Sequence, residues 1–148
     1  MYYECGVDPE VKTSIQNMVN WLRKKYVFPI RIHVYVKKGL LIKARDGDMV
    51  EDLFFWPDCR DDEPYIKIAT GDYFEYVDEV GKDEAILPIL RSLLQELTHY
   101  FQWLNGMEFN SDTLPRQARR YAIKILDEYL EQHGTGDGSL CRNEKSDN

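Results

Sequence analysis

The amino-acid sequence predicts an α+β fold with one N-terminal helix, a small three- to four-stranded, mostly antiparallel sheet and two C-terminal helices. Three observations predict it: a helical apolar period in the first 25 residues, a period of two between residues 30 and 70, and a return of the helical period after residue 83. A chain of 148 residues is long enough for one core and short for two. We expect a single domain over residues 1–133 and a disordered tail over residues 134–148.

The first predicted helix begins after Asp8, a suitable N-cap, and continues to about Lys25. Alternating apolar residues then predict four strands, and the Asp46-Gly47 pair predicts a hairpin turn between the second and third of them. The predicted strands are Ile30–Val36, Leu40–Ala44, Met49–Trp56 and Tyr65–Thr70. These connections suggest an antiparallel meander, and a mixed sheet remains an alternative.

The strongest helical pattern is predicted from about Asp83 to Asn105, after a short surface helix in the acidic, aromatic run that follows Gly71. Its apolar stripe consists of Ile86, Leu90, Leu93, Leu97, Phe101 and Leu104, and Gly106 stops it. A last helix is predicted from the Asp112–Pro115 start signal to His133.

Charge and cysteine content narrow the possible partners and the compartment. A net charge of −7 argues against direct nucleic-acid binding and against an anionic membrane surface. Three cysteines without C-x-x-C spacing predict neither a disulfide framework nor a zinc knuckle, which favours a reducing cytoplasm. No signal peptide and no membrane span are predicted.

The segment Gln95-Glu96-Leu97-Thr98-His99 differs by one residue from the zinc-protease motif H-E-x-x-H. In that motif two imidazoles one helical turn apart bind zinc, and the Glu activates the bound water. Gln95 offers only a neutral carbonyl oxygen in place of the first imidazole. Gln95 is also expected to form a hydrogen bond with His99 across one helical turn.

Together with the segment 116–122, this motif resembles the small zincin-like metallopeptidases of bacteria and their phages. The resemblance extends through the N-terminal half to the segment 65–72. It implies that Glu96 matches the general base, here vestigial, and that His99 matches the second metal ligand. Gln95 and Pro115 then occupy the positions of two lost ligands. Because catalytic zinc needs three protein ligands, no cofactor is expected.

The leading interpretation is an inactive zincin-like domain that binds another protein or an extended peptide, with a role in phage–host conflict. The strand Tyr65–Thr70 is a hypothetical edge strand for such a peptide. Candidate groove residues are Tyr65, Ile66, Ile68, Tyr73, Tyr100 and Trp103. One alternative is an active peptidase that holds zinc through a non-standard site. Glu108, Asp112, His33 and His133 could supply ligands to it, although their spacing does not place them there. A second alternative is an acidic inhibitor of a nucleic-acid-binding protein. The oligomeric state is left open.

Overall fold

The computed structural model describes residues 1–59, 61–107 and 113–133. Helix α1 spans Pro9–Lys25, as the sequence predicts. The Asp8 carboxylate accepts a hydrogen bond from the backbone N–H of Glu10 at 2.8 Å, which confirms the predicted N-cap. The buried face of α1 consists of Val11, Ile15, Met18 and Leu22. The predicted disordered tail lies outside the described residues.

Six strands form two sheets in the described part of the chain: β1 (Tyr2–Tyr3), β2 (His33–Lys37), β3 (Ile42–Lys43), β4 (Met49–Val50), β5 (Asp52–Phe55) and β6 (Tyr65–Ala69). The main sheet has the spatial order β1-β2-β6-β5. Strands β1 and β6 each pair parallel with β2, and β5 pairs antiparallel with β6. Strands β3 and β4 form a separate antiparallel ribbon. The turn between them contains Gly47 at a φ of 95°, which confirms the predicted hairpin.

The α+β class is confirmed, but the sheet is mixed and the expected mostly antiparallel order is wrong. Two of the three pairings in the main sheet are parallel. Strands β1 and β2 are joined through α1, and β2 and β6 are joined by a long crossover that contains β3, β4 and β5. The meander prediction assumed that each strand pairs with the next strand in sequence. Alternating burial identifies β2 and β6 as strands, but it carries no information about their partners.

The C-terminal half contains α2 (Tyr73–Val80), α3 (Lys82–Ala85), α4 (Leu87–Leu104) and α5 (Thr113–His133). The helix predicted from Asp83 is therefore divided at Ile86. Pro88 lies in the first turn of α4, where its missing N–H costs no helical hydrogen bond. Gly106, at a φ of 74°, follows the end of α4 as predicted.

Helix α4 is the central element of the core, since it contacts β5, β6, α1, α3 and α5. Tyr100 is fully buried, and its hydroxyl donates a hydrogen bond to the carbonyl of Ile30 and accepts one from the N–H of the same residue at 3.2 Å. These bonds attach the segment before β2 to α4. Within the described residues, no helix has both the length and the apolar character needed to cross a bilayer.

Candidate functional site

Helix α4 places its motif residues in two different environments. Gln95 and His99 lie one turn apart and are half-buried. Glu96 is rotated by about 100° from Gln95 and is only 5% exposed. The motif carboxyl therefore faces the protein interior, whereas a catalytic base must reach water and substrate.

The partner of the Glu96 side chain is Asp52, the first residue of β5, with which it forms a hydrogen bond. Burial raises the pKa of the Glu96 carboxyl from its ordinary value of 4.5 to about 10, and the hydrogen bond and negative charge of Asp52 raise it as well. At neutral pH Glu96 therefore carries a proton, which it donates to Asp52. A protonated carboxyl cannot accept a proton from water, so this geometry does not provide a general base.

The side chain of His99 is hydrogen-bonded to the first of a pair of glutamine side chains, Gln102 and Gln117, that link α4 to α5. Its Nδ1 lies 2.7 Å from Oε1 of Gln102, a residue that is only 3% exposed. Nε2 of Gln102 donates to Oε1 of Gln117 at 2.9 Å and lies 3.3 Å from the carbonyl of Leu114. The expected bond from Gln95 to His99 is absent from the described part of the chain. The contact between His99 and Gln102 is thus structural, part of a link between two helices.

The remaining candidate ligands that the structure describes lie in separate places and have other partners. Pro115 is exposed in the first turn of α5, and Glu108 and Asp112 lie outside the described residues. His33 pairs with Glu63 at 2.6 Å, and Nδ1 of His133 lies 3.0 Å from the carbonyl of Tyr129. Among the described residues, no three His, Cys, Asp or Glu side chains are placed so that they could hold a metal ion. The described residues by themselves therefore do not supply the three ligands of a catalytic zinc.

The predicted groove is wrong for most of its candidate residues. Five of the six side chains are buried in the core, at 0–5% exposure: Ile66, Ile68, Tyr73, Tyr100 and Trp103. Only Tyr65 is half-buried, and its ring stacks on Phe55 with centroids 4.7 Å apart. The hypothesis that Tyr65–Thr70 is an edge strand is also wrong, because β6 lies between β2 and β5. Ile66 and Ile68 lie at the centre of the sheet, whereas Tyr73, Tyr100 and Trp103 belong to helices. The spacing of these residues alone could not distinguish a core from a groove.

Sequence reasoning missed Asp52, Gln102 and Gln117. A signal for Asp52 was present, because it is two residues before Phe54 and therefore lies on the same face of β5. That face packs on α4, where the Phe54 ring lies 6.5 Å from that of Tyr100. Gln102 lies three residues after His99, a spacing that also places two side chains together on a helix.

The described cysteines, Cys5 and Cys59, are exposed free thiols.

Comparison of the chain with protein-family models, with curated proteins and with solved structures found no match. The function must therefore be argued from the geometry of α4 and its neighbours.

Proposed function

We propose that the chain is a catalytically inactive zincin-like domain that binds another protein, in the setting of phage–host conflict. The observation that carries the proposal is the burial of the Glu96 carboxyl, which is hydrogen-bonded to Asp52 and whose pKa is raised to about 10. An active zincin needs that carboxylate ionised and open to the metal-bound water. Here the carboxyl serves instead as a contact between α4 and β5.

The residue types at the ligand positions support the same conclusion. Gln95 and Pro115 carry neither an imidazole nor a carboxylate, and His99 is hydrogen-bonded to Gln102. Even the loss of an outer hydrogen-bond partner typically lowers metal affinity by about 10–100-fold. The loss of two direct ligands is more severe, so hydrolysis is not the function that this geometry favours.

The partner is proposed to add an extended segment to β5, which replaces β6 as the edge strand beside the motif helix. In the described sheet, β5 pairs only with β6. The backbone N–H of Ala69 donates to the carbonyl of Glu51 at 2.9 Å, so the backbone groups of Glu51 point towards β6. In an antiparallel pair, successive residues of a strand direct their backbone groups alternately towards the partner strand and away from it. By that alternation the backbone N–H of Asp52 points away from β6. An outer row of backbone groups is the usual template for β-strand addition.

The first test is elemental analysis of protein purified without a chelator. We expect far less than one zinc per chain, and no change on His99→Ala. We expect Gln95→His combined with Pro115→Glu to create zinc binding. Near-stoichiometric zinc in the unchanged protein that is lost in His99→Ala would overturn the proposal.

The second test is affinity purification from the native host, with identification of the retained protein by mass spectrometry. We then expect hydrogen-exchange protection of the amide of Asp52 when the purified partner is added. Strand β1, at the opposite edge of the sheet, serves as the internal control. Protection confined to β1, or absent from both edges, would contradict the proposed mode of binding.

A further inference from the structure

A cleft of about 600 Å³ opens between α1, the segment 28–32, β2 and α4. We call it the α1–β2 cleft. Its floor consists of Leu22, Val34, Leu93 and Leu97, which are 0–7% exposed. Half-buried apolar side chains from Val19, Phe28 and Ile32 form its walls. Volumes between about 300 and 1,000 Å³ are typical of small-molecule sites, and this cleft combines apolar side chains with a substantial polar surface.

Two arginines from different elements meet at this cleft. Arg23 comes from the last turns of α1, and Arg31 comes from the segment before β2. Both are exposed, and neither forms an ion pair within the described part of the chain. No acidic residue is among the described residues that line the cleft. In a chain with 26 acidic and 19 basic residues, this is a local excess of positive charge beside an apolar surface.

We infer that the α1–β2 cleft binds an aliphatic carboxylate of medium chain length. The apolar floor would bury the alkyl chain, and a guanidinium binds a carboxylate through two parallel hydrogen bonds. The two arginines repel a cationic head group, and a neutral head group has no charge–charge attraction to them. The site shares no lining residue with the Glu96 and His99 contacts. The inference therefore stands independently of the proposed function.

The experiment measures binding of sodium hexanoate, octanoate and decanoate to the full chain by titration in NMR. Each buried methylene should raise the affinity about fourfold, until the cleft is filled. Decanol and decyltrimethylammonium serve as neutral and cationic probes of the same chain length. We expect both to bind about tenfold more weakly than decanoate, or less tightly still.

Paired variants separate the contribution of the carboxylate head group to binding from that of the alkyl chain. The double variant Arg23→Gln with Arg31→Gln should bind decanoate about tenfold more weakly and should bind decanol with unchanged affinity. The matched control, Lys24→Gln with Lys43→Gln, removes the same charge from exposed sites that do not line the cleft. Val19→Trp should fill the cleft and abolish binding of both probes, whereas Ile123→Trp on the exposed face of α5 should not.

Chemical-shift changes should be largest at Leu22, Leu93 and Leu97. The inference is overturned if decanoate does not bind, if Val19→Trp binds it as tightly as the unchanged chain, or if decanol binds as tightly as decanoate. An equal loss of decanoate affinity in the lysine and arginine variants would also overturn the inference, because that result would show that decanoate is attracted by the total charge of the protein alone. An arginine-dependent, chain-length-dependent affinity that Val19→Trp removes would support it.

Discussion

Replacement of Glu96 by Gln should stabilise the protein at neutral pH and remove part of its pH dependence. Glutamine has nearly the same shape as glutamic acid, and its amide N–H can still donate to Asp52. The substitution therefore keeps the contact between α4 and β5 while it removes the proton that Glu96 must hold. In an active zincin the same change would remove the catalytic base, so the two interpretations of this residue make different predictions.

The magnitude follows from the difference between the pKa of Glu96 in the folded and unfolded states. The folded value is raised to about 10 from 4.5, so the folded state binds this proton more tightly than the unfolded state. The associated stability is fully present below pH 4.5 and is lost as pH rises towards 10. The free energy of unfolding should fall by about 1.4 kcal/mol for each pH unit in that window. Between pH 4.5 and pH 7 the loss is about 3 kcal/mol.

The assay is urea denaturation of the unchanged protein and of Glu96→Gln at several values between about pH 5 and pH 9. The difference in unfolding free energy should be near zero at the acid end and should grow in favour of Glu96→Gln as pH rises. Glu75→Gln is the matched control, since Glu75 is exposed on α2 and its replacement removes one carboxyl without touching the contact between α4 and β5.

A constant difference between the unchanged protein and Glu96→Gln across this range would refute the reasoning. It would mean that Glu96 is ionised in the folded protein and available as a base. Loss of stability in Glu96→Gln at all pH values would refute it as well, because the amide would then be unable to replace the protonated carboxyl beside Asp52.

Three further predictions concern contacts around α4 and the sheet. Gln102→Leu should cost about 1–3 kcal/mol of unfolding free energy in urea titrations, because His99 and Gln117 lose their buried partner. Tyr100→Phe should cost about 1–2 kcal/mol in the same assay and speed amide exchange at Ile30, since both hydrogen bonds to that residue are lost. Gly71→Ala should lower the free energy of unfolding by about 2 kcal/mol or more, because its Cβ would lie 2.6 Å from the backbone of Gly39 and Leu40. Gly39→Ala, whose Cβ meets nothing closer than 3.5 Å, is its control and should be near neutral.

The sequence predicted individual elements well and their arrangement less well. Local signals placed α1, with its Asp8 cap, and the end of α4 before Gly106, because caps and positive-φ glycines act over a few residues. The position of β6 between β2 and β5 depends on pairing across more than thirty residues, which no local pattern encodes. Strand β1 was missed because two aromatic residues are too short a run to show alternation.

The candidate site shows the same limit. The motif spacing correctly placed Gln95 and His99 one turn apart on a helix. It did not reveal that Glu96 faces Asp52, because the burial of a carboxyl depends on which strand packs against its helix. The groove residues were misjudged for a related reason, since Ile66 and Ile68 become central only once β5 lies outside them.

One helix carries both the floor of the α1–β2 cleft and the carboxyl beside Asp52. Leu93 and Leu97 flank Glu96 in sequence, and Tyr100 is bonded to Ile30 next to the cleft wall. Because an α-helix is stiff over two turns, a shift of α4 by a molecule in the cleft would be transmitted to the Glu96 proton. A ¹³C label in that carboxyl would then act as a remote spectroscopic reporter of occupancy, without any probe in the cleft itself.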